Sequence, residues 1–282
     1  MVAIGAAGYF TYRLDGVWER AINRSDKASF AGYYDAMRRK GIVEAYRLEC
    51  DFMQLVTDGV KDHIPPECTQ PGRDQTWFLW GDSHAQALSL GITNLLPSGA
   101  TLAQVATSNC RPSFQPIDLQ VPGGRCTRAN TFAIQRIREL RPRVLIVAQM
   151  GGHEATDWEA LAVEARRLGV QRVVVAGPLP MWLPSLPELV ISRFWDSGYD
   201  RVNYGLVPER PIEDERLRQR YGASKTLTYI SFISRLCNDD GCIATVPGTN
   251  PPQLMAFDAS HLTPLGSRYL ADLALREVLP GK

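Results

Sequence analysis

The chain has 282 residues, 45% of them hydrophobic and 22% charged, which is enough apolar sequence for one or two domains with a sizeable core. Its 31 basic and 30 acidic residues leave a formal net charge of +1, so no global positive field exists to hold a nucleic-acid partner. The short basic runs Arg38-Arg39-Lys40 and Arg166-Arg167 are typical of solvated helix faces.

The N-terminal part of the chain is predicted to be a helical extension, residues 1–72, that precedes a larger domain at residues 73–282. Its first segment, Met1–Phe10, is apolar but too short to cross a bilayer, which takes about 20 residues. This segment also lacks the basic region and cleavage site of a signal peptide. Two interpretations stay open, the tail of a membrane helix or an ordinary helix packed on the core. Val43–Met53 is predicted to be helical, and the polar linker Gln70–Gln75 closes the extension.

Six cysteines fall as three neighbouring pairs with no odd one left. The pairs are Cys50 with Cys68, Cys110 with Cys126, and Cys237 with Cys242. Even, local pairing predicts three disulfides and an oxidising compartment. Zinc ligation is the alternative, but zinc sites use Cys-x-x-Cys pairs or Cys/His clusters, which the chain lacks, so we expect no metal.

From Thr76 onward, apolar runs and helical patterns alternate along the chain. The predicted elements are strand 77–80, a helix after Ser83, strand 102–106, helix 128–140, strand 144–147, helix 158–168 and strand 172–176. This alternation predicts an α/β fold, a three-layer α/β/α sandwich with a central parallel sheet, in addition to the helical N-terminal extension. Ligands of such folds bind at the carboxyl ends of the strands.

Prolines interrupt the alternation after Gly177, which predicts an insertion at about 178–236. The insertion is rich in large aromatic residues: Trp182, Phe194, Trp195, Tyr199 and Tyr204. Two interpretations fit them, a wall on which sugars stack or a surface that packs the insertion onto the body.

The motif Gly81-Asp82-Ser83-His84 follows the apolar run Trp77–Trp80 and opens a predicted helix. A serine at this strand-to-helix turn projects its hydroxyl over the carboxyl end of the sheet. There, free backbone N–H groups and the positive end of the helix dipole favour a developing negative charge. Asp82 is expected to bond the backbone of the turn.

A second motif, Asp258-Ala259-Ser260-His261, supplies the base that a serine nucleophile needs. Because Asp258 and His261 are three residues apart, one loop can carry both the base and the carboxylate that orients it. Thr263 and Pro264 suit the N-cap and first position of a helix that anchors this loop. The two motifs predict Ser83 as the nucleophile, His261 as the general base and Asp258 as its partner.

Gly-Asp-Ser near the start of an α/β region, followed by Asp-x-x-His before the last helix, resembles the SGNH (GDSL-type) hydrolase superfamily. The forms Trp-Gly-Asp-Ser-His-Ala and Asp-x-Ser-His-Leu-Thr-x-x-Gly are more similar still to the extracytoplasmic SGNH domains fused to acyltransferase-3 membrane proteins, which O-acetylate bacterial surface glycans. The resemblance covers residues 76–279, and it assigns the same three roles to Ser83, His261 and Asp258.

The superfamily places an oxyanion-hole glycine after the second strand and an oxyanion-hole asparagine after the third. Neither is found at the corresponding places in this chain, 107–110 and 149–152, and the acyltransferase-linked domains also tend to lack them. The candidate oxyanion donors are the backbone N–H groups of Ser83, Ser108 and Asn109 and the side-chain amide of Gln149.

Three further residues are candidate substrate contacts. His84 follows the nucleophile and can touch substrate or simply pack against its neighbours. His153 lies in a loop after the third predicted strand and can approach the pocket rim or remain solvated. Trp182 belongs to the aromatic residues of the predicted insertion.

The resemblance implies an O-acetyltransferase that moves an acetyl group, through an acyl-serine, to a hydroxyl of a bacterial surface polysaccharide such as lipopolysaccharide O-antigen or peptidoglycan. It implies no bound cofactor, an acetyl donor delivered by an N-terminal transmembrane acyltransferase-3 domain, and a periplasmic position tethered to the inner membrane. Two alternatives stay open: a carbohydrate acetyl-esterase of the SGNH type, and a non-catalytic glycan-binding or docking module.

Overall fold

The computed structural model describes residue 9 and residues 25–54, 59–115 and 124–277. The predicted N-terminal segment Met1–Phe10 lies outside these residues apart from Tyr9. Among the helices in the described ranges, none is both long and apolar enough to cross a bilayer.

A five-stranded parallel sheet lies at the centre of the molecule. The strands of the described ranges are β1 (Gln75–Gly81), β2 (Ala100–Ala106), β3 (Val144–Ala148), β4 (Arg172–Ala176), β5 (Arg201–Val202), β6 (Thr228–Ile230), β7 (Cys237–Asn238) and β8 (Gly241–Ile243). The central sheet has the order β2-β1-β3-β4-β6 with every pair parallel, and β5, β8 and β7 form a small antiparallel sheet. Since helices cover both faces of the central sheet, the predicted three-layer α/β fold is confirmed.

The helices carry the connections between the strands. They are α1 (Asp26–Ala36), α2 (Val43–Tyr46), α3 (Ser83–Leu95), α4 (Arg125–Leu140), α5 (Trp158–Arg167), α6 (Leu186–Leu189), α7 (Glu209–Tyr221), α8 (Phe232–Leu236) and α9 (Pro264–Leu270). A π-helical turn, Met37–Gly41, continues α1 toward α2. The helix predicted over Val43–Met53 ends at Tyr46, because Arg47 adopts a left-handed conformation with φ of 52°. Only a short 3-10 turn, Leu48–Cys50, follows.

Alternate side chains of β1 build two separate cores. Trp77 and Leu79 point to the face covered by α2, α3 and α9, whereas Phe78 and Trp80 point to the face covered by α4, α5 and α7. All four side chains are at most 1% exposed. Burial on both faces explains why β1 is a continuous apolar run rather than an alternating pattern, and it fixes the strand whose end carries Ser83.

Three disulfides join the cysteines in the pairs that their spacing predicts. Cys50 is bonded to Cys68, Cys110 to Cys126, and Cys237 to Cys242. Glu49 lies beside the first bridge and forms with it a cluster of potential metal ligands in the described ranges. Because both sulfurs of that cluster are oxidised to a disulfide, they offer no thiolate to a metal.

The segment predicted as an insertion, 178–236, contributes to the central sheet. Its strand β6 pairs in parallel with β4, and α7 covers the sheet before it, so the α/β alternation resumes at Glu209. Earlier in the segment, Trp195 and Tyr199 pack their rings against Phe30 of α1. These aromatic residues therefore join the segment to the N-terminal helix.

Candidate active site

Ser83 is the first residue of α3 and follows the end of β1 by two residues. A Cβ at Gly81 would collide with the carbonyl oxygen of Ala148 on β3, so only glycine fits this turn. Asp82 caps α3: its Oδ1 accepts the N–H of His84 at 2.8 Å, and its Oδ2 accepts the N–H of Met150 at 2.7 Å. Asp82 thus bonds the backbone of its own turn, as expected, and also ties that turn to the loop after β3.

The side chains of Ser83, His261 and Asp258 lie in hydrogen-bond contact. The Ser83 Oγ is 2.8 Å from the His261 Nε2, and the His261 Nδ1 is 2.8 Å from the Asp258 Oδ2. The other carboxylate oxygen of Asp258 accepts the N–H groups of Ser260 at 3.0 Å and His261 at 2.8 Å. These bonds place an imidazole between a hydroxyl and a carboxylate, the arrangement in which histidine can take the hydroxyl proton.

Asp258 keeps its negative charge in this setting. Burial raises the pKa of its carboxyl, but the hydrogen bond and charge of His261 and the N–H groups of Ser260 and His261 outweigh burial and hold the pKa below its usual value. An ionised Asp258 holds the proton of the imidazole on Nδ1 and leaves Nε2 free to face Ser83.

The loop that carries His261 is anchored on both sides. The buried Tyr46 donates its hydroxyl to the carbonyl of Leu262 at 2.7 Å. Thr263 caps α9 by accepting the N–H of Gly266 at 2.9 Å, as predicted. The ring of Phe257 stacks on that of His261 at 5.9 Å. These contacts fix the direction in which the imidazole points.

His84 lies behind the site rather than at its opening. Its side chain is 2% exposed, its Nε2 is 3.0 Å from the Ser260 Oγ, and its ring meets that of His261 edge-on at 5.2 Å. Burial, together with the nearby charge of His261, lowers the pKa of His84 well below its ordinary value. His84 is therefore a neutral packing residue against the His261 loop, with no surface for a substrate.

The two other candidate substrate contacts are also enclosed. The side chain of His153 is fully buried beside Glu213, with its Nδ1 3.7 Å from the Glu213 Oε1, which is longer than a hydrogen bond. Trp182 is 2% exposed and donates its Nε1–H to the carbonyl of Val202 at 3.2 Å. Neither ring reaches the surface of the pocket that contains Ser83.

Two candidate oxyanion donors are engaged elsewhere. Ser108 donates both its N–H, at 3.1 Å, and its hydroxyl, at 2.7 Å, to the carboxylate of Asp51. The buried side-chain amide of Gln149 donates to the carbonyl of Gly151 at 2.8 Å and to the Thr156 hydroxyl at 3.2 Å.

The other two candidates are differently placed. Within the described part of the chain, the N–H of Ser83 has no hydrogen-bond acceptor, as is usual for the first residue of a helix. Asn109 is exposed and left-handed, with φ of 63°.

A buried network that the motifs did not indicate holds the loop after β2. Asp51 is fully buried, and its Oδ2 accepts Ser108 and also the side-chain amide of Gln86 at 2.8 Å. Gln86, one helical turn after Ser83, donates as well to the carbonyl of Ala106 at 2.6 Å. The only local signals for these roles are the position of Gln86 on the nucleophile's helix and that of Asp51 beside a bridged cysteine.

A pocket of about 370 Å³ opens at Ser83. Ser83, His261 and Asp258 form one side of it together with Gln86, Ser108 and Phe257. The other side is formed by Arg38, Arg39, Ile42, Tyr46 and Leu48. The nucleophile thus faces a cavity bounded by the central fold and by the N-terminal extension, with polar and apolar surface for a ligand.

A known protein family matches most of the chain, including Ser83, Asp258 and His261. The sequence model of the SGNH domain (fused to AT3 domains) matches residues 49–276. No curated protein matches the chain significantly.

Two solved structures match the chain, with very different degrees of structural similarity. The periplasmic domain of the Salmonella ser. Paratyphi A lipopolysaccharide acetyltransferase superposes with a TM-score of 0.67 at 24% identity, covering 86% of this chain and 97% of that one. A Streptococcus pneumonia protein proposed to be a platelet activating factor gives a TM-score of 0.39 at 11% identity, covering 88% and 95% of the two chains. The first likeness supports the fold; the second is too distant to carry an argument.

Proposed function

The chain belongs to the family of SGNH domains that are fused to AT3 domains, and from this premise we propose that it is an O-acetyltransferase acting on bacterial surface polysaccharide. Ser83 is the nucleophile, His261 the general base and Asp258 the carboxylate that orients it. The observation that carries the proposal is the unbroken series of 2.8 Å contacts from Ser83 through His261 to Asp258. The Salmonella neighbour, described as a lipopolysaccharide acetyltransferase domain, supports the choice of acceptor.

In the first half-reaction the Ser83 Oγ attacks the carbonyl carbon of an acetyl donor while its proton moves to the His261 Nε2. The tetrahedral intermediate collapses, the bond to the leaving group breaks, and His261 returns the proton to that group. Acetyl-Ser83 remains. The ionised Asp258 stabilises the transient imidazolium through its 2.8 Å contact with Nδ1.

In the second half-reaction a sugar hydroxyl takes the place of the leaving group. His261 removes the hydroxyl proton as the sugar oxygen attacks the acetyl carbon. The Ser83 Oγ then leaves and recovers the proton from His261. The acetyl group ends on the sugar and the enzyme returns to its starting state.

The negative oxygen of both intermediates requires N–H donors. The N–H of Ser83, free at the N-terminus of α3, is the first of these, and the N–H of Asn109 in the loop after β2 is the second. Ser108 and the side chain of Gln149 are committed to Asp51 and to their own loop. They act by fixing the backbone around the site.

The acetyl group is delivered by a membrane AT3 domain of the full-length protein, and no cofactor is bound by this domain. The three disulfides indicate an oxidising, extracytoplasmic compartment, and fusion to AT3 domains is the property that defines the family. Together they support a periplasmic domain tethered to the inner membrane.

Hydrolysis is the second candidate reaction. Ser83 is partly exposed and its pocket is open, so water can reach acetyl-Ser83 in place of a sugar. The ratio of acetylated glycan to free acetate, measured with p-nitrophenyl acetate as donor, separates the two. Transferase function predicts that added glycan diverts most of the acetyl groups from water.

Substitution of the nucleophile tests the proposal. Ser83→Ala should abolish release of p-nitrophenol from p-nitrophenyl acetate and acetylation of the glycan, because among the described residues no other hydroxyl contacts the His261 Nε2. Ser234→Ala, a matched change on the distant helix α8, should leave both rates unchanged. Retention of either activity in folded Ser83→Ala would overturn the assignment, and a protein that binds glycan without any turnover would instead be a docking module.

A further inference from the structure

The pocket wall opposite the catalytic residues is contributed entirely by residues that precede the family match. Arg38, Arg39, Ile42, Tyr46 and Leu48 line the cavity, whereas the family model begins at residue 49. Ser83, His261 and Asp258 all lie inside the match. The catalytic half of the pocket is therefore shared with the family, and the opposite half is not covered by that shared sequence.

Buried hydrogen bonds hold this wall in place. Besides the bond from Tyr46 to the loop of His261, the carbonyl of Tyr46 accepts the side-chain amide of Gln104 on β2 at 2.8 Å. Arg47 donates to the carbonyl of Leu102 at 2.7 Å. At the C-terminal end of α1, the buried Tyr34 hydroxyl accepts the N–H of Leu254 at 2.8 Å. Arg38 and Arg39 lie between these anchors, so their backbone has a defined position above the cavity.

The positive charge of this wall is only weakly compensated by acidic side chains. Arg39 pairs with Asp35 at 2.7 Å, but both side chains are at least half exposed, so water screens the pair and leaves it weak. Arg38 makes no ion pair within the described ranges. Asp258 is the single carboxylate among the described residues that line the pocket, and it is committed to His261. An entering ligand meets two guanidinium groups with no free acid to oppose them.

Guanidinium groups recognise one ligand chemistry above others. Their planar donors match the oxygens of a carboxylate or a phosphate, often with two parallel hydrogen bonds. Ile42, Leu48 and Phe257 add apolar side chains to the lining of the same pocket, which suit the C–H face of a sugar ring. The pocket thus combines a site for an acid, a site for a ring and a nucleophile.

We propose that the acceptor is an anionic glycan, a sugar bearing a carboxylate or phosphate group, which Arg38 and Arg39 bind while its hydroxyl approaches Ser83. This inference rests on the proposed function and names the substrate class of the same site. Lys40 provides a matched control, because it continues the same basic run but does not line the pocket.

The test compares acceptors that differ only in charge. Oligogalacturonate is set against its methyl ester, and glucose 6-phosphate against glucose, with p-nitrophenyl acetate as donor. We expect kcat/KM for transfer to favour the charged member of at least one pair by about tenfold. The double variant R38E/R39E should abolish this preference. K40E should retain both the preference and the acceptor-free hydrolysis rate of the unaltered protein.

Binding to the Ser83→Ala protein gives a readout that does not depend on catalysis. Titration calorimetry should show the same charge preference, lost in the triple variant S83A/R38E/R39E. If neither pair shows a preference in transfer or binding, the inference is overturned even when the donor is hydrolysed normally. It is also overturned if R38E/R39E raises KM for acetyl-CoA as donor while leaving acceptor preference intact, since the arginines would then serve the donor phosphates. If the unaltered protein does not hydrolyse the donor but still binds the charged acceptors selectively, the proposed reaction is contradicted and the inference about the acceptor is not.

Discussion

The two sides of the pocket differ in how their side chains are held. On the sheet side, Ser83 contacts His261 and His261 contacts Asp258, each at 2.8 Å. On the extension side, Arg38 and Arg39 are exposed, and their segment is attached through Tyr46 and the residues around it. The Ser83, His261 and Asp258 side chains are therefore held by direct contacts with one another. The exposed side chains of Arg38 and Arg39 can change without altering those contacts.

This difference suggests a division of labour within one pocket. Chemistry requires positions accurate to a fraction of an ångström, and strand ends and short capped helices supply them. Choice of acceptor requires only complementary charge and shape, which exposed side chains on an anchored helix can supply. Substitutions of Ser83, His261 or Asp258 should therefore reduce turnover with every substrate, and substitutions of Arg38 and Arg39 should change which acceptor is used.

The largest effect is expected on the sheet side. Asp258→Asn preserves the size of the side chain but removes the charge that holds the His261 proton on Nδ1, so kcat for p-nitrophenyl acetate should fall by about 10³–10⁴-fold. Asp272→Asn, an exposed residue paired with Arg276, is the control and should keep full activity. Comparable loss in both variants would contradict the role given to Asp258.

On the extension side the largest effect should be on stability. Replacing Cys50 and Cys68 by serine opens a loop with a separation of 18 residues and should lower the free energy of unfolding by about 3 kcal/mol. Removing the Cys237–Cys242 bridge, with a separation of 5, should cost about 2 kcal/mol. Denaturant titration of the two double variants measures both. An equal or reversed order would show that the Cys50–Cys68 bridge does not stabilise the extension in this way.

The burial of His84, on the sheet side of the pocket, should make the free energy of unfolding depend on pH. Above about pH 6.5 its imidazole is neutral in the folded and unfolded states and contributes nothing to the slope. As the pH falls below that value, His84 binds a proton in the unfolded chain but not in the folded protein, because burial lowers its pKa. The free energy of unfolding should then decrease by about 1.4 kcal/mol per pH unit.

His84→Gln should remove that slope, measured by thermal or urea unfolding between pH 5 and 7, a range of about two units around the histidine value. His63→Gln is the matched control, since His63 is solvent-exposed. An unchanged slope in His84→Gln would mean that His84 does not stay neutral in the folded protein.

The smallest effect is expected where the two sides meet. Tyr46→Phe removes the hydroxyl that binds the carbonyl of Leu262 and leaves that buried oxygen unsatisfied, so stability should fall by about 1 kcal/mol. Because Leu262 follows His261, kcat should also fall several-fold. Tyr33→Phe, which loses only an exposed bond to Gln253, should change neither quantity measurably. Equal effects of the two changes would show that the Tyr46 hydroxyl does not position the His261 loop.

Local sequence signals predicted that Ser83, His261 and Asp258 lie together, and the structure places their side chains in contact. Gly81-Asp82-Ser83 and Asp258-x-x-His261 stand where an apolar run ends and where a capped helix begins, so strand, turn and cap signals agree over a few residues. The disulfide pairs could be predicted equally well, because the six cysteines are even in number and the members of each pair are close in sequence. The alternation of apolar runs and helical patterns, also a local signal, predicted the parallel sheet.

Features set by long-range packing could not be predicted in this way. His84, His153 and Trp182 are candidate substrate contacts with packing or solvated positions as alternatives, and the structure buries all three side chains. Large side chains beside a pocket gain more free energy by burial than by facing water. Asp51 bonds Gln86 and Ser108, which lie 35 and 57 residues away, and no local pattern marks such contacts. Strand β6 has only three residues, too few for periodicity to reveal it inside the segment predicted as an insertion.

Reaction with a fluorophosphonate, followed by peptide mapping in a mass spectrometer, tests the central claim most directly, because this reagent bonds preferentially to a serine that a neighbouring base activates. The account predicts one adduct, on Ser83, in the unaltered protein and none in His261→Ala. An adduct on a different residue, or full labelling of Ser83 in the absence of the imidazole, would contradict it.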